Sequence, residues 1–271
     1  MSHSPLTGFQ QFIATWYQQF GRHDLPWRVT FDPYTVLVSE LMLQQTQVER
    51  VIPKFTAFLN RFPSISSLAQ AQQKEVLTLW QGLGYNRRAV FLHKCAQVVH
   101  RDFAGIFPEG RKELLKLPGV GPYTAGALGA FAFNQPVILI ETNIRAVCIH
   151  HFFADQEKVS DTELLPLIEK ELLKTNPRLW YSALMDYGSF LKRTFPNPSK
   201  KSKHHVVQSK FAGSLRQARG EIIRLLTSEE YLNLDQFKER MRSDSMHIAP
   251  ALAQLVDEQM IHSTKKGYTL S

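Results

Sequence analysis

The sequence predicts an all-α fold with a small winged-helix-like extension at its C-terminal end. Three observations carry this. Apolar residues recur at helical three- and four-residue spacing through most of the first 190 positions, strand alternation is nearly absent there, and from about Arg219 the pattern becomes helix, helix, helix and a short ribbon in "HSTKKGYTLS". At 271 residues the chain suits a two-lobed helical body, or a body with a small appended domain.

Taken in order, "FQQFIATWYQQF" places Phe9, Phe12, Ile13, Trp16 and Phe20 on one face, which predicts a core-facing helix. A Pro/Trp turn follows at "DLPWRVTFDPY". "TVLVSELMLQQTQVERVIPKFTAFLNRF" then reads as helix, break, helix, and "SISSLAQAQQKEVLTLW" opens another behind capping serines. A glycine turn starts the helix of "GLGYNRRAVFLHKCAQVVHRDF", whose apolar side is Val90, Phe91, Cys95 and Val98. "GRKELLKLPGVGPYTAGALGAFAF" is a helix ending near Leu117, a Pro-Gly-x-Gly hairpin, and a helix whose small residues permit close backbone packing. Ser160 and Glu163 form a capping box. Between Lys192 and Gly220 there are eight Lys or Arg, two His and no acid. The expected organisation is a body over 1–191, with a six-helix lobe at about 30–137 and a second lobe from both chain ends. A basic linker over 192–218 and a winged-helix-like domain over 219–271 complete it. A three-helix cap with an irregular tail is the alternative for that last part.

Lys and Arg number 32 against 24 Asp and Glu, a formal charge of +8. This favours a polyanionic partner, although basic chains without one also exist. The two cysteines, Cys95 and Cys148, stand far apart in apolar surroundings and offer neither a disulfide framework nor metal-ligand spacing. No secretory leader is visible, and the best apolar run, Ala125 to Ile140, is broken by "NQP". The expectation is a cytoplasmic protein, nucleoid-associated if bacterial, monomeric and without membrane contact.

Three constellations offer chemistry. In "LPGVGPYTAGA", Leu117, Gly119, Val120 and Gly121 form a turn whose amides, with the next helix N-terminus, cradle a phosphate; the alternative is a purely structural glycine turn. Glu141 follows Gly119 by 22 residues and ends the buried run "PVILI", as a helix cap, a site residue or both. Glu40 stands among Val36, Leu37, Leu41 and Leu43, company that raises a carboxyl's pKa and suits a proton donor; a solvent-facing Glu on an amphipathic helix is the alternative. The amide-rich Gln44, Gln45 and Thr46 after it have the chemistry to reach base edges or fill a gap in a duplex. Two carboxylates, a phosphate grip and a basic tail fit chemistry on a base flipped from DNA.

The blocks "WR" (Trp27, Arg28), "PYTVLVSELMLQQTQV", "LWQGLGYNRRA", "LHK", "LPGVGPYTAGA", "ETN" and "MDYGS" resemble the helix-hairpin-helix DNA glycosylases, in particular their adenine glycosylase branch. The likeness runs in order from about residue 8 to 190. It implies a two-lobed helical fold with the active site in the cleft between lobes. By resemblance, Glu40 is the general acid that protonates adenine N7. Tyr123 stands where strand-nicking relatives carry a nucleophilic lysine, which implies a monofunctional enzyme. Asn143 is the amide beside the catalytic aspartate, and Gln45 and Tyr85 belong to the wedge at the estranged base. Gln44, Thr46, Arg87 and Arg88 complete the DNA-facing set, and the hairpin admits a structural monovalent cation. The implied partner is double-stranded DNA carrying a mismatched or damaged base.

Four departures qualify that picture. The catalytic aspartate falls on Glu141, one methylene longer, a displacement of over ~1 Å that can cost about 10²-fold in rate. The family's four [4Fe–4S] cysteines have no counterpart in "FLKRTFPNPSKKSKHHVVQSKFAG", so no cluster is expected; Lys200, Lys201 and Lys203 there are either phosphate contacts or a solvated loop. No domain resembling nucleotide-pyrophosphate hydrolases, the family's 8-oxoguanine sensor, is expected after residue 219. The branch's usual Tyr-Tyr pair reads Tyr85-Asn86. The expected function is therefore cluster-free excision of adenine opposite 8-oxoguanine or guanine. Alternatives are excision of mismatched thymine or uracil or of a damaged purine, a non-catalytic DNA binder, and a strand-nicking lyase.

Overall fold

The computed structural model describes residues 6–271. In chain order, its helices begin with α1 (Gly8–Phe20), α2 (Pro33–Leu43), α3 (Val48–Arg61), α4 (Ile65–Ala69), α5 (Gln73–Trp80) and α6 (Arg87–Asp102). The hairpin helices α7 (Arg111–Leu114) and α8 (Pro122–Ala127) follow, then α9 (Thr142–Phe152), α10 (Asp161–Glu171) and α11 (Pro177–Thr194). The chain ends with α12 (Leu215–Ser228), α13 (Leu234–Arg240), α14 (Ile248–Asp257) and the strands β1 (Ile261–Thr264) and β2 (Gly267–Leu270). The all-α class and the winged-helix-like order of the extension are thus both present.

The chain falls into two compact units. The first comprises the described chain up to Val36, Glu109–Leu115 and Val120–Val207; the second comprises Leu37–Pro108, Lys116–Gly119 and Gln208–Ser271. Residues 120–137 group with the first unit and not with 37–108, and the C-terminal helices group with 37–108.

In the first unit α11 lies along α9 and α1, over a core that includes Ile13, Tyr17, Val147, Trp180, Tyr181 and Leu191. The predicted stripe on α1 is rotated. Gln10, Ile13 and Tyr17 are buried, whereas Phe12 and Phe20 remain 44% and 63% exposed. Positions 10, 13 and 17 sit at i, i+3 and i+7, so Phe9, Phe12 and Trp16 become a flanking aromatic layer against His151 and Tyr187. The Ser160–Glu163 capping box forms as expected, and α1 has one of its own at Thr7 and Gln10.

In the second unit, Phe58, Phe62 and Trp80 pack edge to face in the core beneath α3 and α5, and α6 packs on α4 and α5. The extension continues that unit: α12 packs on α5, α14 and β2. The ribbon pairs Ile261 with Leu270 and Thr264 with Gly267, leaving Lys265 and Lys266 at its tip. Leu232 adds a further bridge to Tyr268 through two backbone bonds of 3.0 and 2.8 Å. Gly267 is required there. Its φ is +136°, and a Cβ would stand 2.6 Å from the Leu232 carbonyl carbon. Among the described residues no helix is long and apolar enough to cross a membrane.

Candidate functional site

The hairpin is built by burial on one side and glycine on the other. Leu117 and Val120 turn their side chains into the interior, so only their backbone can meet a ligand. Gly119 takes a φ of +75°, and a Cβ there would stand 2.6 Å from Phe91 Cβ. Gly121 is the N-cap of α8, with Pro122 in the first turn; the helix's own ladder starts only with Ala125 N–H to Gly121 O. Tyr123 lies in that first turn, half-buried.

Glu141 is the N-cap of α9. Its Oε1 accepts from the Asn143 and Ile144 N–H groups at 2.5 and 3.0 Å, and its Oε2 accepts from Asn143 Nδ2 at 3.2 Å. Both sequence readings of this carboxylate therefore apply to the same group: it caps the helix, and it is held in one orientation by three donors. The Asn143 Oδ1 acceptor is buried and finds no donor among the described residues. Burial pushes the Glu141 carboxyl above its ordinary range, against the Ile144 amide, the Lys192 ammonium and the Asn143 donors. Lys192 itself is lowered by burial, although Glu141 acts to raise it.

Lys192 was not marked by the sequence motifs, yet its spacing carries a signal. Met185, Gly188 and Lys192 lie at i, i+3 and i+7 on α11, one stripe facing the start of α9. Met185 Sδ is 3.8 Å from Asn143 Nδ2, and a Cβ on Gly188 would stand 2.7 Å from the Asn143 carbonyl carbon. Close approach of the two helices thus requires glycine at 188.

A third cluster surrounds Arg88. Sequence reasoning placed it among DNA contacts, but its guanidinium is buried and bonds Leu41 O (2.5 Å), Met42 O (3.1 Å), Gln44 O (2.6 Å), Leu83 O (3.2 Å) and Gly84 O (2.9 Å). Burial lowers its pKa to about 10, so it stays a cation at neutral pH. Arg88 ties the end of α2 to the glycine turn before α6. Gln45 and Tyr85 sit on those two turns in left-handed backbone, at φ +56° and +47°. Gln44 is half-buried, and Thr46 Oγ1 donates to Gln44 O and Leu83 O at 3.2 and 3.3 Å. Arg87 remains exposed, its guanidinium 5.0 Å from the Phe91 ring centroid. Glu40 lies in the last turn of α2, half-buried, its neighbours Leu41 and Ser39 both buried.

The basic segment after α11 is tied down. Lys201 Nζ donates to Ala154 O at 2.7 Å and pairs with Glu157 at 3.2 Å, while Lys200 and Lys203 are exposed. Ser199 is buried against Asn197, which accepts from its N–H and hydroxyl at 3.0 and 2.7 Å. A four-thiolate cluster does not fit these residues. The only cysteines in the sequence, Cys95 and Cys148, are buried in different units with thiols pushed up to about 12 by burial.

Residues 38–170 match the family model described as "HhH-GPD superfamily base excision DNA repair protein". The chain is similar to the adenine DNA glycosylase of Buchnera aphidicola subsp. Baizongia pistaciae, 39% identical over 184 residues that cover 68% of this chain and 52% of that protein. It is 38% identical to the adenine DNA glycosylase of Mycolicibacterium smegmatis over 191 residues, 70% of this chain and 63% of the relative. The chain therefore spans about half to two thirds of the length of these curated relatives. Among solved structures, a thermostable thymine-DNA glycosylase superposes with a TM-score of 0.59 at 28% identity, over 67% of this chain and 84% of that one. A non-covalent Endonuclease III–DNA complex, at 21% identity over 69% and 83% of the two chains, shares the fold with a TM-score of 0.52.

Proposed function

Because the chain belongs, through residues 38–170, to the HhH-GPD superfamily of base excision DNA repair proteins, we propose that it is a DNA glycosylase. It hydrolyses the N-glycosidic bond of a base flipped from double-stranded DNA, first of all adenine opposite 8-oxoguanine or guanine, and leaves the strand intact. The observation that carries this is the Glu141 carboxylate, clamped by Asn143 and Ile144 beside a buried Asn143 Oδ1 that has no donor among the described residues.

The chemistry divides between the two acids. Glu40 donates a proton to adenine N7, so the base departs neutral. Glu141, as carboxylate, stabilises the oxocarbenium-like sugar that forms as the bond breaks. The attacking water hydrogen-bonds to Asn143 Oδ1, adds to the sugar cation and passes a proton to the Glu40 carboxylate, which restores the acid. With Tyr123 where a lyase needs an amine, no imine to the sugar forms there. The Gly119–Gly121 turn and the exposed Lys200 and Lys203 take backbone phosphates. A structural monovalent cation, when bound, would be held at the hairpin turn. No step needs an iron–sulfur cluster, and the enzyme works as a monomer on DNA in the cytoplasm or nucleoid.

Single-turnover assays on duplexes carrying A:8-oxoguanine, A:G, T:G, U:G and hypoxanthine test the substrate. Cleavage is expected only after alkali, and fastest for the two adenine mispairs. The likeness to a thymine-DNA glycosylase makes T:G the second substrate to watch. Nicking without alkali would remove the monofunctional reading, and binding without any excision would leave a non-catalytic DNA binder.

The charges around Glu141 predict a pH response. Lys192 favours its ionised form; Glu141 in turn raises Arg145, and Arg22 acts on Lys192. Excision requires the carboxylate, so activity falls as pH drops through the Glu141 pKa. Lys192→Met removes a counter-charge, and the acid limb of the pH–rate profile is expected to move to higher pH, while Lys192→Arg leaves it in place. An unmoved limb in Lys192→Met would show that another group sets it.

A further inference from the structure

The segment that leads into α12 makes a set of contacts that the proposed chemistry does not use. Gln208 Nε2 donates to Gln45 Oε1 at 3.2 Å and also to the Tyr85 hydroxyl. Arg216 Nη1 donates to the same hydroxyl, and Arg216 Nη2 to Ser209 O at 3.1 Å. The Arg216 guanidinium lies 5.2 Å from the Tyr85 ring centroid and 5.4 Å from that of Phe211. Phe211 is nevertheless 56% exposed. Gly213 at φ +74° and the Ser214 cap of α12 fix the turn between them. All of these residues lie within the second unit.

Two non-glycine residues in left-handed backbone, on two different turns, cost strain that their surroundings must hold. Arg88 braces both turns from beneath. Gln208 and Arg216 hold the same two tips from outside. An amide and a guanidinium are the two side chains that read purine edges in pairs of hydrogen bonds, guanidinium with the O6 and N7 of guanine. An exposed aromatic ring beside them offers a stacking face. No acidic residue occurs from Lys192 to Gly220 to repel a nucleic acid.

We propose that Gln208 and Arg216 join Gln45 and Tyr85 in one composite reading surface, which selects a guanine-type base opposite the base that is excised. This rests on the glycosylase reading above for the position of Gln45 and Tyr85 at the estranged base. The C-terminal extension thereby contributes specificity through the first turn of α12 and the segment that leads into it, and not through the ribbon.

The test compares wild type, Gln208→Ala, Arg216→Ala and Arg216→Lys on duplexes with adenine opposite guanine, 8-oxoguanine, cytosine or an abasic site. Single-turnover excision and binding by fluorescence anisotropy are both measured. Wild type is expected to favour guanine and 8-oxoguanine over cytosine, and Arg216→Ala to cut that ratio about tenfold. Gln208→Ala cuts it less, and Arg216→Lys, which loses the paired geometry, does not restore it. Binding opposite an abasic site and the melting temperature stay as in wild type. An equal loss on all four duplexes with a shallower salt slope would make Arg216 a phosphate contact and overturn the proposal. A gain on all four would make the segment a cover over Gln45 and Tyr85, and would also overturn it. If wild type excises nothing yet shows an Arg216-dependent binding preference for guanine, the glycosylase reading fails while this inference stands. Equal binding ratios in wild type and Arg216→Ala defeat it whatever the excision result.

Discussion

Glu141→Gln is expected to lower single-turnover excision about 10²–10³-fold, and Glu40→Gln about 10²–10⁴-fold, with both proteins folded. The two losses should differ in kind. Without Glu40 the proton-donating limb of the pH–rate profile disappears. Without Glu141 the rate falls across the whole profile, since the amide still accepts from Asn143 N–H but carries no charge to set against the sugar cation. Stability separates these effects from misfolding. Burial raises the Glu141 pKa above its unfolded value, so at neutral pH the ionised form costs the fold stability; the favourable contribution of a raised pKa exists only below the unfolded value and is lost as pH rises. Glu141→Gln is therefore expected to melt no lower than wild type at pH 7, and any advantage should vanish in acid. A melting temperature well below wild type at pH 7 would mean that the residue serves the helix cap first. Glu141→Asp probes the extra methylene. Aspartate is the better N-cap and would keep the two amide bonds, but its carboxylate would withdraw by about 1 Å, for which a loss near 10²-fold is expected. A faster Asp variant would instead mark the native glutamate as detuned.

What could be read from the sequence was what is local. The hairpin glycines, the Ser160–Glu163 box and the cap at Glu141 each depend on residues within a few positions, and all three stand where spacing puts them. The face of α1 was legible only approximately. Aromatic residues surround the true core stripe, and which of two adjacent stripes is buried depends on α11 and α9, far along the chain. Arg88 departs from its motif for a related reason: an arginine in a basic motif has the composition of a phosphate contact, and only the carbonyls at the distant end of α2, together with those of the adjoining glycine turn, reveal it as a brace. Lys192 is legible only through its place on the Met185–Gly188–Lys192 stripe, and the Gln208 and Arg216 contacts are illegible because they act across 123 to 163 residues. No periodicity reports such pairs.

Asp186→Asn is expected to destabilise the protein by about 3–5 kcal/mol, the usual cost of removing one partner of a buried ion pair. The Asp186 side chain is 1% exposed and accepts from Arg22 N–H (2.7 Å), Arg22 Nε (2.8 Å) and Nη2 (2.5 Å), and Arg28 Nη1 (2.7 Å) and Nη2 (2.9 Å). Burial alone would raise its carboxyl, but the arginines hold it below the usual range. An asparagine of the same shape turns an N–H₂ group towards two or three of these five donors, according to which oxygen it replaces, and leaves two guanidinium groups without their counter-charge. With about 2–4 °C per kcal/mol for a chain of this size, the melting temperature should fall by roughly 10 °C. A depressed pKa contributes stability above the unfolded value, lost as pH falls through the folded one. The gap between wild type and variant should therefore close below about pH 4; a gap that persists in acid would mean that shape, not charge, sets the cost. The consequence reaches the site. Arg22 and Arg28 lie on the connection between α1 and α2, and Asp186 follows Met185 on α11, one residue round the helix from the stripe that meets Asn143. The "WR" and "MDYG" blocks are thus two halves of one clamp, and what it fixes is the helix against which the Glu141 carboxylate is oriented.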